Sequence, residues 1–284
     1  MPSCTHAYLT QCKTNPQPPG FGDFLRGTVA LFYFAEACGF ELLIDYNSHP
    51  IFSFLKFGDH YTVNNNDTEI HECICPVSYP DIIDKLRILF QKNTSFSVLT
   101  NSFYATNQLG EFVVFAELSD TCKQFMRKLL TPSDMIERVL SHVYEDLGVK
   151  DYKVIHLRLG DAFIHDDIYD ENAATKISDK FKRLITTTDK YKYVLLTDSA
   201  SIGRKISKLC PQIAYWDNNK IHTGDLRSKV AHGLRDTVID MVIMSRANEI
   251  LSCNLSSFCN IPAFTFDVPI KKLFMEPEWD LSRI

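Results

Sequence analysis

Apolar residues recur along the chain at two spacings, and the alternation between them outlines the fold. Leu25, Val29, Phe32 and Ala35 keep helical spacing up to Gly39, and ELLIDY at 41–46 then reads as a strand. Residues 47–80 are rich in Asn, Asp and Pro and follow no period, which marks a long connection or an insertion. DIIDKLRILF at 81–90 returns to helical spacing, EFVVFAE at 111–117 is a strand, and a helix over 132–147 begins at Thr131-Pro132. Beyond Gly148 the alternation is clearer. VIHLRL at 154–159, YVLLT at 193–197, QIAYW at 212–216 and EILS at 249–252 are strands, and AFTF at 263–266 closes the series as another. Helices near 177–187, 200–209 and 226–247 separate them. Alternating strands and helices predict parallel sheets covered on both faces, with ligands at the carboxyl ends of the strands. The expected fold class is α/β, with two Rossmann-like domains, 1–147 and 148–284, facing a central cleft.

Polar residues that interrupt this pattern are the candidates for chemistry. In VIHLRLGD the period is two, so Ile155, Leu157 and Leu159 face one side while His156 and Arg158 face the other. Gly160-Asp161 signals a turn and puts Arg158 near the strand's carboxyl end. A guanidinium there needs an anionic partner. The partner is either a structural carboxylate such as Asp161 or Asp198, or a phosphate gripped by the planar fork. YVLLTDSAS repeats the design, with Asp198 and Ser199 at a strand end, where they either cap the next helix or contact a ligand. Asp240 is surrounded by Val238, Ile239, Met241, Val242, Ile243 and Met244, the pattern of a helix buried on nearly all sides. It needs an internal donor, either an arginine such as Arg235 or the paired N–H groups of a guanine base. In CNLSSFCN, Ser256 and Ser257 stand where a helix begins, as ordinary caps or as part of a phosphate site.

Composition narrows the classes. The chain has 284 residues, 45% hydrophobic, a formal charge of −5 and no long basic run, which argues against nucleic acid as the main partner. Its N-terminus lacks the pattern of a secretory signal, and no stretch approaches the roughly 20 apolar residues of a membrane span. Nine irregularly spaced cysteines suit a reducing compartment, so the expected location is cytoplasmic. The acidic run HDDIYDEN at 165–172 reads as solvated carboxylates, and HECIC at 71–75 has no second pair at zinc spacing, so no metal is expected.

HLRLGD resembles the His-x-Arg-x-x-Asp motif of the fucosyltransferase superfamily that holds the α1,2-, α1,6- and protein O-fucosyltransferases. LLTDSAS is similar to that family's Thr-Asp strand end, and LRDTVIDMVIMSRANEILSCNLSSFC to its third region. GFGDFLRG resembles its Gly-x-Gly-Asn-x-Leu turn, with Asp23 in place of asparagine. The resemblance implies a two-domain GT-B fold, with 1–147 on the acceptor side and 148–284 binding a nucleotide-sugar donor. It implies that Arg158 holds the β-phosphate, that His156 and Asp240 contact guanine, and that Asp198, Ser199, Ser256 and Ser257 line the nucleotide. Gly22, Asp23 and Arg26 then belong to the acceptor side, with Asp23 as the base. The implied activity is an inverting, metal-independent transfer of L-fucose from GDP-fucose to a glycan hydroxyl, with no cofactor beyond the donor. The alternatives are another donor such as UDP-xylose, or a catalytically silent nucleotide-sugar or glycan binder. A cytosolic location fits bacterial or viral glycan synthesis. Two positions depart from the family's pattern: Leu159 replaces a second arginine, and Pro262 is expected to shorten the helix after the serines.

Overall fold

The computed structural model describes residues 3–8, 20–56, 69–73, 87–88, 91–92, 95–100, 118–159, 171–185, 191–218, 223, 231–253 and 256–273. They fall into two compact units, Met1–Ser133 with Thr223–Ala231, and Asp134–His222 with His232–Ile284. Among the described residues no helix is long and apolar enough to cross a membrane.

The first unit holds a parallel sheet of β1 (Ser3–Ala7), β2 (Glu41–Asp45), β3 (Glu69–Cys73) and β4 (Ser95–Thr100), in the order β2-β1-β4-β3. The helical spacing read from Leu25 corresponds to α1 (Phe21–Cys38), which buries Phe21, Phe24, Leu25, Val29 and Leu31. It stops at Gly39, whose left-handed φ of 74° lets its N–H reach Glu36 and lets Phe40 reach Ala35, so the last carbonyls of the helix are satisfied. The stretch 47–80 is less irregular than its composition suggests: it contains a 3-10 helix at Pro50–Phe54 and strand β3. β1 and α2 (Asp120–Leu129) were not legible in the hydrophobic pattern. The expected strand at 111–117 and most of the expected helix at 81–90 lie outside the described residues.

Tyr8, Phe21, Phe24, Phe52 and His49 form an aromatic core at the carboxyl end of β1, with Tyr8 stacked on Phe24 and His49, and Phe52 edge-on to Phe24. Thr223, distant in sequence, is tied into it. Its hydroxyl accepts from the backbone N–H of Phe21 at 2.7 Å and from the Tyr8 hydroxyl at 3.2 Å. The first of these satisfies an N–H that a helix start leaves without an internal partner. Nδ1 of His49 accepts from the backbone of Ile51, so Nε2 carries the proton and donates to the Thr223 carbonyl at 3.0 Å. Burial pushes the His49 pKa down to about 4. The unfolded chain, with a histidine near 6.5, therefore binds more protons than the folded one between these values. Stability should fall by about 3 kcal/mol as pH drops from 6.5 through 4. Urea midpoints measured across that window test this, and a His49→Asn variant should lack that part of the slope.

The second unit is a five-stranded parallel sheet of β5 (Tyr152–Leu157), β6 (Lys192–Thr197), β7 (Ile213–Tyr215), β8 (Ile250–Ser252) and β9 (Ile270–Lys272). The order is β7-β6-β5-β8-β9, so successive strands run outward from β5 in one direction and then in the other, and the direction reverses between β5 and β8. α3 (Asp134–Leu147) precedes β5, followed by α4 (Glu171–Leu184), α5 (Ala200–Leu209), α6 (Ala231–Ser245) and α7 (Ser257–Thr265). α3 lies before the division expected at 147/148 yet belongs to this unit, and Gly148 is the left-handed turn that closes α3, with φ 58°. Ile155, Leu157, Leu195 and Leu251 pack with Ala174, Ile177 and Phe181 of α4 and Ile202 and Ile206 of α5. Each leucine, isoleucine or phenylalanine among them contributes roughly 1.5–3 kcal/mol by leaving water. The opposite face carries α3, α6 and α7: the Tyr152 hydroxyl donates to the carbonyl of Ile243 and meets the Tyr144 hydroxyl, and Cys259 donates to Ser252. AFTF, expected as a strand, is instead the end of α7 and the residue after it. Pro262 sits inside α7, which runs only three residues further, to Thr265, and the N–H of Phe266 closes it on the Pro262 carbonyl at 3.0 Å.

Candidate functional site

The reversal of strand order places the carboxyl ends of β5 and β8 side by side, where open α/β sheets hold their ligands. His156 is in register with Ser252, and its carbonyl accepts from Cys253 at 3.0 Å. The expected period holds, because Ile155 and Leu157 enter the core beneath α4 and α5 while His156 turns to the other face. There its ring, only 6% exposed, lies 6.2 Å from that of Phe258 in the first turn of α7.

Arg158 follows the last residue of β5. Its Nε is 3.4 Å from Oδ2 of Asp198, which follows β6 directly, and the other carboxylate oxygen accepts the backbone N–H of Leu159 at 2.7 Å. The Asp198 side chain is 5% exposed and that of Arg158 36%. Both carboxylate oxygens thus act on the two residues after β5, fixing the arginine's base while over a third of its side chain faces solvent. Of the two partners open from sequence, the internal carboxylate is present. Nε is the guanidinium nitrogen that stands against this carboxylate. Asp161, the other carboxylate considered, lies outside the described residues, as does most of HDDIYDEN.

Ser199 does what a cap does: it is fully buried, and its hydroxyl accepts from the backbone of Ile202 at the start of α5. Ser256 does not. It occupies the N-cap position of α7 in extended conformation, yet its side chain makes no capping hydrogen bond. Ser257 is the first residue of α7. Helix starts expose backbone N–H groups and the positive end of the helix dipole, a combination suited to phosphate. The neighbouring thiols are spectators: burial pushes the Cys259 pKa up to about 11 and raises that of Cys253 as well, so neither is a thiolate at neutral pH.

α6 is buried nearly all round, as its sequence indicates, with Val238, Ile239, Met241, Val242, Ile243 and Met244 all under 5% exposed. Arg235 pairs with the adjacent buried Asp236. An internal donor to Asp240 is Asn218, three residues beyond β7, whose Nδ2 donates to Oδ1 of Asp240 at 2.9 Å. Sequence reading missed Asn218 because an asparagine in the polar run Asp217-Asn218-Asn219 carries no signal of its own.

In the first unit, GFGDFLRG is not a turn but the N-cap and first turns of α1. Gly22 is buried there. Asp23 is the third helical residue, and its carboxylate accepts from the backbone of Gly20 at 3.2 Å, the reciprocal half of a capping box. Arg26 lies 3.9 Å from Asp23, and both side chains are about a quarter exposed.

No family model and no curated protein sequence matches the chain. Solved structures do. NodZ α-1,6-fucosyltransferase co-crystallized with GDP, an enzyme from Bradyrhizobium, is 16% identical with a TM-score of 0.56, covering 92% of each chain. A mutant of Arabidopsis thaliana FUT1 in complex with GDP is 12% identical with a TM-score of 0.57, over 95% of this chain and 69% of that one. POFUT1 in complex with GDP-fucose is 9% identical with a TM-score of 0.56, over 94% and 96%. Two parallel α/β units, the order of strands about β5 and this likeness across nearly the whole chain agree, and the protein has the GT-B-type fold of the fucosyltransferases.

Proposed function

We propose that the protein is an inverting glycosyltransferase that moves a sugar, L-fucose from GDP-fucose, onto a glycan hydroxyl. The observation that carries this reading is Arg158: a guanidinium fixed through Nε by a buried carboxylate, more than a third exposed, at the strand end where the sheet order reverses. In this role it receives the β-phosphate. The uncapped start of α7, with Ser256 and Ser257, supports the same diphosphate, and His156 and Asp240 serve the guanine. The likeness to enzymes solved with GDP and GDP-fucose supports the choice of base and sugar.

The acceptor oxygen attacks the anomeric carbon from the face opposite the diphosphate. The bond from that carbon to the β-phosphate oxygen breaks, its electron pair leaves with GDP, and the acceptor's proton passes to a base. Asp23 is proposed as that base, so its capping bond to Gly20 is given up or shared during turnover. Arg158 neutralises the charge that develops on the leaving group. No metal is needed for that step if one guanidinium and a helix start suffice.

A panel of GDP- and UDP-sugars incubated with the protein tests this, with release of free nucleotide as the readout. The expected result is GDP release from GDP-fucose, stimulated by a glycan acceptor. Release of UDP alone would replace the donor, and GDP binding without any release would leave a nucleotide-sugar binder. Thermal unfolding supplies the matching equilibrium test. GDP at a hundred times its dissociation constant should add about 2.7 kcal/mol of stability, and UDP at the same concentration far less.

A further inference from the structure

We infer that Asn218 is a specificity-determining residue that reads the 2-amino group of the donor's guanine, side by side with Asp240. The inference rests on the GDP reading above. A carboxylate only accepts hydrogen bonds, so the Asn218 atom 2.9 Å from Oδ1 of Asp240 is its Nδ2, and the amide orientation is fixed. The other end of the amide is therefore its carbonyl oxygen, Oδ1, which cannot donate to Asp240. Asn218 is only 8% exposed, and Oδ1 is buried with no hydrogen-bond partner among the described residues. Leaving a buried acceptor unsatisfied is costly, and an amide so placed calls for a donor brought by something else.

The pair has a definite chemical complement. A carboxylate and an amide carbonyl held together present two neighbouring acceptors. Guanine offers two neighbouring donors, N1–H and the 2-amino group. Uracil offers one N–H flanked by two carbonyls, which would set acceptor against acceptor. Hypoxanthine keeps N1–H and O6 but has only a hydrogen at position 2. The arrangement assigns N1–H to Asp240 and the 2-amino group to Asn218. A loop asparagine that served only to fasten the end of β7 to α6 would be satisfied by the Nδ2 contact, and would have no reason to bury its carbonyl.

Isothermal titration of the full chain with GDP, inosine diphosphate and UDP tests the assignment, using wild type, Asn218→Ala and the more conservative Asn218→Ser. Wild type should prefer GDP over inosine diphosphate by about tenfold to a hundredfold, the worth of a buried hydrogen-bonding contact to a base. Both variants should bind the two purine nucleotides within about twofold of each other. The ratio within one protein is the readout, so partial unfolding of a variant leaves it intact. Variants that keep the wild-type ratio, or a wild type that does not distinguish the two purines, would overturn the role of Asn218 while the GDP reading stands. A wild type that prefers UDP, or binds none of the three, overturns both.

Discussion

Replacing Arg158 with alanine should lower GDP release from the sugar donor about a hundredfold to a thousandfold, the usual cost of removing one group that meets developing negative charge. The arginine is partly exposed, so the core should survive its loss. Asp198 would keep its bond from Leu159 but lose its cation, at a cost to stability of about 1–3 kcal/mol. Arg158→Lys sharpens the test. A lysine retains the charge without the planar fork, and it should recover only part of the rate. Single-turnover rates with saturating donor separate this effect from weaker binding. Unaltered turnover in the alanine variant would remove Arg158 from the chemistry.

Asp198→Asn should cost about tenfold to a hundredfold in rate with little change in melting temperature. The amide is the same shape, and its oxygen can still accept from Leu159 at the position Oδ1 now holds. Its NH2 group would then face Nε of Arg158, donor against donor, where a carboxylate oxygen now lies at 3.4 Å. The arginine is released from its fixed posture without being removed. Hydrogen bonds to charged groups contribute about 1.5–3 kcal/mol, which sets the expected range. Because Asp198 acts through Arg158, the two changes should not add: the double variant should be no slower than Arg158→Ala alone. Fully additive losses would show that Asp198 contacts the substrate itself.

What the sequence disclosed and what it hid follow from the same physics. β5, β6 and α6 are apolar over whole runs because they are buried on both faces or nearly all round, so a charge directly after them, Arg158 or Asp198, or inside one, Asp240, stands out. β1 is as buried, but its SCTHA sequence hides the fact. Cys4 and His6 are inaccessible, and His6 is accommodated by a hydrogen bond to Thr28 and stacking on Phe24. Tertiary partners overrode the local pattern there. The same reason conceals Asn218 and Thr223: each matters through residues far away in sequence, and neither breaks a periodicity. AFTF illustrates the converse, since three of its four residues, Ala263, Phe264 and Thr265, are drawn into α7 despite a strand-like composition. The pairing of Arg158 with Asp198 is one that spacing leaves open, and it becomes visible only in the coordinates.

Crystals grown or soaked with GDP should show the diphosphate at the carboxyl end of β5, with the Arg158 guanidinium within hydrogen-bonding distance of the β-phosphate and the first turn of α7 beside it. A diphosphate bound elsewhere on the protein, with Arg158 engaged only by Asp198, would contradict the role proposed for Arg158.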